Sequence, residues 1–228
     1  MSNELMNTNG NFAVAAGNDN DIPSYETEGI TPTFEKVKIP SGGGISFEVP
    51  SDTNETDSVK EIRAIIVYHH PANAYYKEKF TGGNVPPDCS SFDNKGGIVK
   101  ETGEYRKCSQ CEFNQFGSGE NGGRACKQKR RLFILMENHA MPYMLTVPTG
   151  SLGEFTKYIT HLLSKGKRSN GVITKITLKK AQNSTGITYS QLAFSMDGEL
   201  SPDLRATVNN MTEEVMAIAR NIQDADED

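Results

Sequence analysis

The feature that most constrains the fold is a glycine-rich segment, residues 81–126, that contains every cysteine of the chain. Its apolar residues follow neither the helical nor the strand period, so the segment lacks the pattern of a packed element. A structureless connection of this length is uncommon inside a compact domain. Something other than a hydrophobic core therefore has to hold the segment together.

The four cysteines, Cys89, Cys108, Cys111 and Cys126, follow the spacing C-x18-C-x2-C-x14-C. A tight C-x2-C pair with two further ligands is typical of a structural zinc site, because the short turn directs backbone N–H groups at the sulfur atoms. Bound zinc would supply on the order of 10 kcal/mol of folding free energy. We therefore predict one Zn2+ on these four thiolates.

Several alternatives remain open at this cluster. Two disulfides need an oxidising compartment, the thiols could be free and structural, and His69, His70 or His139 could replace one cysteine. Four protein ligands leave no open coordination position, so the predicted zinc is structural. Two aspartates beside the first cysteine, Asp88 and Asp93, are expected to cap the turn rather than to bind Mg2+ for a nuclease.

The length of 228 residues suits one domain with an insert. A mean hydropathy of -0.54 indicates that part of the chain is not packed. We predict a disordered acidic arm over residues 1–29, because that stretch has few large apolar residues. An OB-like core over 30–222 carries the zinc-binding insert at about 81–130, and an acidic tail covers 223–228.

Apolar runs predict strands at 62–68, 132–136, 143–147, 172–180 and 187–194, and a hairpin turn at 40–44. Pro71 is expected to end the first of these strands. A Ser-x-x-Glu capping box, Ser151 to Glu154, predicts a helix that stops at Gly166, and a second amphipathic helix covers 202–222. The predicted fold is α+β, mainly β, with an OB-fold-like barrel.

Charge is distributed unevenly along the chain. Residues 60–180 hold 20 lysines and arginines against 10 aspartates and glutamates, whereas residues 1–59 hold 2 against 10 and residues 181–228 hold 2 against 9. A basic middle with acidic ends is typical of a nucleic-acid-binding core. An unevenly charged solvated surface is the alternative interpretation.

Aromatic residues alternate with the basic residues of the middle block. Aromatic rings stack on bases and basic side chains follow phosphates, which is how single strands are bound without reading sequence. Tyr75 and Tyr76 are the predicted stacking residues, while at least two of Phe92, Phe113 and Phe116 are expected to pack around the zinc. The basic residues predicted to contact DNA are Lys77, Lys79, Arg106, Lys107, Arg124, Lys127, Lys129, Arg130 and Arg131.

The segments VPPDCSSFDNKGG (85–97), CSQCEFNQFGSG (108–119) and GRACKQKRRLFIL (123–135) resemble the zinc-containing single-stranded DNA-binding proteins of bacteriophages. The better-known members use a mixed histidine–cysteine site, whereas this chain offers four cysteines. The resemblance implies an OB fold, a role in DNA replication, recombination or repair, and an acidic tail that recruits partner proteins and competes with DNA. The tail residues are Asp224, Asp226, Glu227 and Asp228.

The chain contains no H-E-x-x-H, G-x-S-x-G, kinase or P-loop signature, so we expect no enzyme activity. The rival function is a zinc-stabilised interaction module, such as a phage inhibitor that mimics DNA with an acidic surface. The N-terminus has no export signal, and no apolar run approaches the roughly 20 residues of a membrane helix. These observations predict a cytoplasmic protein of the bacterial host, without membrane contact.

Overall fold

The structure is a computed structural model that describes residues 6–8, 12–14, 28–30, 33–51, 53, 55–78, 86–183 and 185–220. The strands are β1 (Met6–Thr8), β2 (Phe12–Val14), β3 (Lys36–Val37), β4 (Phe47–Pro50), β5 (Thr56–Val59), β6 (Glu61–Tyr75), β7 (Cys89–Ser91), β8 (Gly96–Val99), β9 (Tyr105–Lys107), β10 (Lys127–Met136), β11 (Tyr143–Val147), β12 (Val172–Gln182) and β13 (Thr188–Glu199). The helices are α1 (Leu152–Ser164) and α2 (Pro202–Ala219). The fold is therefore α+β and mainly β, and no helix in these ranges is long and apolar enough to cross a bilayer.

Strand β6 organises the main sheet. One edge of β6 pairs with β10, which continues to β11 and then to the parallel strand β3. The other edge is divided, because residues 61–64 pair with β12 and residues 73–75 pair with β7. The predicted barrel is not closed in the described part of the chain: β3, β9 and β13 each have one paired edge, so the sheet is open.

The sheet carries a hydrophobic cluster on each face. Ile66 of β6 and Ile134 of β10 lie in the cluster covered by α1 and the β4–β5 hairpin. Their neighbours in sequence, Ile65 and Phe133, lie in the cluster covered by α2. All four side chains are 0% exposed. Burial on both faces explains why these strands read as continuous apolar runs.

The prediction that Pro71 ends the first core strand is wrong, since β6 continues to Tyr75. Pro71 lies opposite Arg130 of β10. The outer edge of β6 between residues 65 and 72 has no partner strand among the described residues. A proline lacks only a backbone donor, so it is tolerated at such an unpaired edge.

Helix α1 begins and ends where the sequence predicts, with Gly166 at a φ of 67° after its end. The predicted capping box is wrong, however. The buried Ser151 hydroxyl accepts a hydrogen bond from the backbone N–H of Leu192 at 3.0 Å, and Glu154 pairs with lysines, among them Lys179 at 3.4 Å. The serine therefore joins the start of the helix to β13.

Within residues 1–29, the predicted disordered arm, the structure describes two short strands, and the prediction for the arm as a whole stays a prediction. Strands β1 and β2 form an antiparallel pair, and Phe12 is 1% exposed in the cluster under α2. The carbonyl of Ala13 accepts a hydrogen bond from Asn138 at 2.9 Å. Most of the arm and the whole tail, 223–228, lie outside the described residues.

Candidate nucleic-acid groove and cysteine cluster

The four cysteines line one cavity of ≈ 260 Å³. Cys89 comes from β7, Cys108 and Cys111 from the turn after β9, and Cys126 from the residue before β10. A side chain at Gly97 of β8 would place its Cβ 2.9 Å from the Cys89 sulfur, so the approach of these strands requires glycine. All four cysteines are free thiols. The two disulfides of the alternative interpretation are therefore not formed.

Backbone and amide hydrogen bonds hold the cysteine turn. The Cys108 N–H donates to the carbonyl of Lys95, and the Cys126 N–H donates to the carbonyl of Phe113, both at 2.8 Å. The buried Asn114 side chain donates to the carbonyl of Cys108 at 2.8 Å. The C-x2-C turn is thus tied to the chain on both sides, largely without apolar burial.

In the described ranges, no group of three or more His, Cys, Asp or Glu side chains has the arrangement of a metal site. The zinc ion therefore remains a prediction from the sequence. The cavity lining contains no histidine among the described residues. His69 and His70 belong to β6, and the His139 ring is hydrogen-bonded to the carbonyl of Glu137. The geometry therefore disfavours the alternative of a histidine ligand.

The thiol of Cys126 is hard to ionise in this cavity. Burial, followed by the neighbouring thiols Cys108, Cys111 and Cys89, raises the pKa of Cys126 to about 12, while Arg124 opposes the shift. Thiolates crowded at one place repel each other, and a nearby divalent cation reverses that effect. The cluster is thus suited to thiolates only when a cation is present.

The aromatic residues near the cysteines are arranged differently from the prediction. Tyr75 stacks on Phe113 with ring centroids 4.1 Å apart, so one face of this proposed base-stacking residue is covered. Of the three phenylalanines, only Phe113 lines the cysteine cavity. Phe92 lies under the guanidinium of Arg131, and Phe116 is 77% exposed. The expectation that at least two of them pack around the site is wrong.

Two of the predicted DNA contacts are directed into the protein. Arg131 is 0% exposed, with its guanidinium 5.1 Å from the Phe92 ring centroid, so the prediction that it contacts DNA is wrong. Arg130 is half-buried and donates a hydrogen bond to the His69 ring at 2.7 Å. Burial and then the Arg130 charge lower the pKa of His69 to about 4, which keeps the ring neutral as an acceptor.

The remaining predicted contacts near the cysteine cavity lie at or near the surface. Arg106 on β9 is paired with Glu104 at 3.0 Å, and Lys79 lies outside the described residues. The guanidinium of Arg124 lies over the ring of Phe116, 4.4 Å from its centroid. The others are half-buried or exposed side chains at the end of β6 and on β9, namely Tyr76, Lys77 and Lys107.

A second concave surface is a groove of ≈ 980 Å³ that contains four lysines. Lys36 and Lys38 come from β3 and the residue after it, and Lys127 and Lys129 come from the start of β10. Because β11 lies between β3 and β10, the lysines flank this strand on both sides. No aspartate or glutamate is among the described lining residues. We call this surface the lysine groove.

Polar contacts fix the walls of the lysine groove. The Ser190 hydroxyl lies 2.8 Å from the carbonyl oxygens of both Pro40 and Gly44, which anchors the 40–44 loop to β13. A Cβ at Gly150 would lie 2.8 Å from the ring of Tyr189, so the tyrosine lies closely against this glycine. The tyrosine ring is thereby held beside the lysines.

The sequence prediction found Lys127 and Lys129 but missed Lys36, Lys38 and Tyr189. These three residues lie in the two acidic blocks, where the average charge conceals them. The run TFEKVKI contained a usable signal, because lysines two residues apart lie on the same face of a strand. The tyrosine gave no comparable signal.

The two aspartates beside the first cysteine both bind backbone N–H groups, Asp93 in its own turn, as predicted, and Asp88 at the bend after β6. Asp88 accepts a hydrogen bond from the Lys77 N–H at 2.7 Å. Asp93 accepts from the N–H groups of Lys95 and Gly96 at 2.8 and 3.1 Å, and these bonds lower its pKa. Both carboxylates are therefore used in local structure.

Comparisons of the chain with protein-family models, with curated proteins and with solved structures find no match. Function is therefore inferred from the geometry of the chain itself.

Proposed function

We propose that this protein binds single-stranded DNA without sequence preference along the lysine groove. The observation that carries the proposal is the lining: four lysines and no described carboxylate, in a chain of formal net charge -5. A polyanion is repelled by the net charge, so a local concentration of cations decides where it binds. Lysines on both sides of β11 suit a phosphate backbone that runs along that strand.

A single strand fits this surface better than a duplex. The lysines adjoin the ring of Tyr189 and the side chain of Ile187, which is 60% exposed. Stacking of a base on an aromatic ring contributes about 1–3 kcal/mol, and only an unpaired strand presents base faces. The combination of cations and apolar side chains therefore favours single strands.

The proposal includes one structural Zn2+ held by Cys89, Cys108, Cys111 and Cys126. Its support is the convergence of all four thiols on one cavity in a segment with little apolar core. Four cysteine ligands complete a tetrahedral zinc site, and the cation would offset the repulsion among the thiolates. In this role the metal stabilises the fold and takes no part in a reaction.

An OB-like relationship and a tail function are the less direct parts of the proposal. The OB-like plan is supported by the long, bulged strand β6, whose outer edge serves two branches of the sheet. Roles in replication or recombination, with partners bound by the acidic tail, follow from the resemblance and from the charge of residues 223–228. The tail lies outside the described residues.

Fluorescence anisotropy with labelled single-stranded and double-stranded oligonucleotides of one sequence tests the proposal. We expect tighter binding of the single strand, weakened by Lys38→Ala in the groove. Lys60→Ala is the matched control, since Lys60 is exposed and lies outside the lining of the groove. Absence of single-strand binding would contradict the proposal and favour the DNA-mimic alternative.

A further inference from the structure

Phe116 is the most exposed large apolar side chain in the part of the chain that the structure describes, at 77%. It lies in the turn that follows the C-x2-C pair. The guanidinium of Arg124 lies over its ring, 4.4 Å from the centroid. A cation at that distance attracts the ring face and holds the aromatic plane in place.

Arg124 is itself held by the cysteine turn. Its Nη1 donates to the Asn114 side-chain oxygen at 3.2 Å, and the Asn114 amide donates to the carbonyl of Cys108 at 2.8 Å. The Ser118 hydroxyl closes the same turn, because it accepts a hydrogen bond from the Ala125 N–H at 3.0 Å. The exposed ring is therefore part of a braced turn and is oriented before any ligand arrives.

The same turn leads directly into the lysine groove. Lys127 lines the groove and starts β10, and its ammonium donates to the carbonyl of Arg124 at 3.0 Å. The Phe116–Arg124 pair therefore stands where the groove meets the cysteine segment. Arg124 covers one face of the Phe116 ring, and the side chain is still 77% exposed.

We propose that Phe116 is a base-stacking residue that extends the lysine groove onto the cysteine segment. This inference rests on the proposed single-strand binding. One base of a strand that leaves the groove at Lys127 stacks on Phe116, while the guanidinium of Arg124 steadies the ring and attracts the adjacent phosphate. The cysteine segment would then contribute to nucleic-acid binding as well as to stability.

Oligothymidylates of increasing length, from about 4 to about 16 nucleotides, test the inference, since this range covers the site sizes of single-strand-binding folds. Phe116→Ala should weaken binding of the longest strand about 5- to 100-fold and leave the shortest strand unaffected. Phe116→Tyr should restore the affinity, because it keeps the ring. Tyr105→Ala is the matched control, since Tyr105 is a 60% exposed aromatic residue on β9.

A second measurement does not depend on affinity. The chain contains no tryptophan, so Phe116→Trp places a single fluorescent indole at the proposed site. Saturation with the longest strand should quench its emission, and saturation with the shortest should not. Absence of quenching, or equal losses in Phe116→Ala and Tyr105→Ala, would overturn the inference. If the Phe116 variants bind normally while Lys38→Ala is weakened, only this inference fails; if Lys38→Ala also binds normally, the proposed function fails with it.

Discussion

The two-faced sheet and the cysteine segment are adjacent in space but are stabilised in different ways. In the sheet, side chains such as Ile65, Ile66 and Phe133 are 0% exposed and form two apolar clusters. In residues 86–126, most of the fixed contacts are hydrogen bonds from backbone, amide and hydroxyl groups around four thiols. Apolar burial supplies about 25 cal/mol per Å² in the sheet, whereas the segment needs a different source of free energy.

This difference implies that the two regions respond to different perturbations. Loss of a metal should release the segment and leave the sheet folded, since β6 and β10 pair with each other over their whole shared length. Truncation of a buried apolar side chain should destabilise the sheet and leave the metal content of the segment unchanged.

The largest expected effect is that of Cys108→Ser. It should reduce bound zinc from about one ion per chain to nearly none and remove on the order of 10 kcal/mol of stabilisation from the segment. Hydrogen exchange should show lost protection in residues 86–126 and retained protection in β6 and β10. The control is Ser109→Ala, at an exposed position beside the cysteine. Simultaneous loss of protection in both regions would contradict their separation.

The reciprocal perturbation is Ile134→Ala, in the cluster under α1. Truncation of a fully buried isoleucine costs about 2–5 kcal/mol, because the cavity is only partly refilled. The free energy of unfolding in urea should fall by that amount while the zinc content stays unchanged. Leu163→Ala, at a position that is 62% exposed on α1, should change stability by less than about 0.5 kcal/mol.

Acid should destabilise the sheet through His69. Its pKa is about 4 in the folded protein against 6.5 in the unfolded chain, so the stabilisation is complete above pH 6.5 and is lost as the pH falls towards 4. At about 1.4 kcal/mol per pKa unit, the loss amounts to about 3 kcal/mol. His69→Gln keeps an acceptor for Arg130 without titrating, so it should remove this share of the pH dependence. An identical pH dependence in the variant would contradict the assignment.

The smallest of these effects concerns the hydrogen bonds of the segment. Asn114→Ala leaves the buried carbonyl of Cys108 without its amide donor and should cost about 1–3 kcal/mol. Limited proteolysis of residues 86–126 should become faster, whereas Gln110→Ala, at an exposed position in the same turn, should behave like the native chain. Equal cleavage rates for all three proteins would show that this network does not hold the segment.

Local sequence signals predicted much of the fold. The core strands have strong apolar runs because both faces of the sheet are buried, and α1 stops at Gly166 because glycine accepts the positive φ there. Pro71 and Ser151 misled the prediction because their roles depend on parts of the chain that are distant in sequence. The proline lies at an unpaired stretch of strand edge, and the serine hydroxyl binds the backbone of Leu192. Neither the unpaired edge nor the hydrogen-bond partner of the serine can be predicted from the local sequence.

In the candidate sites, too, the features predicted correctly were those with a local sequence signal. Cysteine spacing predicted one shared location, and the four thiols do line one cavity. The basic run at 127–131 could not be divided from sequence, because Lys129 and Arg131 share one face of β10 and differ only in what covers that face. Lys129 lines the groove near the start of the strand, whereas Arg131 is 0% exposed further along it. Lys36 and Lys38 join the groove through the parallel pairing of β3 with β11, a long-range contact that leaves no local pattern.

The most direct test of the lysine groove is the salt dependence of single-strand binding. Each phosphate contact contributes about 0.7 to the slope of log affinity against log salt for single strands, because it releases a counterion. Lys38→Ala combined with Lys129→Ala should lower the slope by about 1.4, because two phosphate contacts are lost, while Lys60→Ala should leave it unchanged. A native slope in the double variant would contradict binding along the lysine groove, because the phosphates would then be bound elsewhere on the protein.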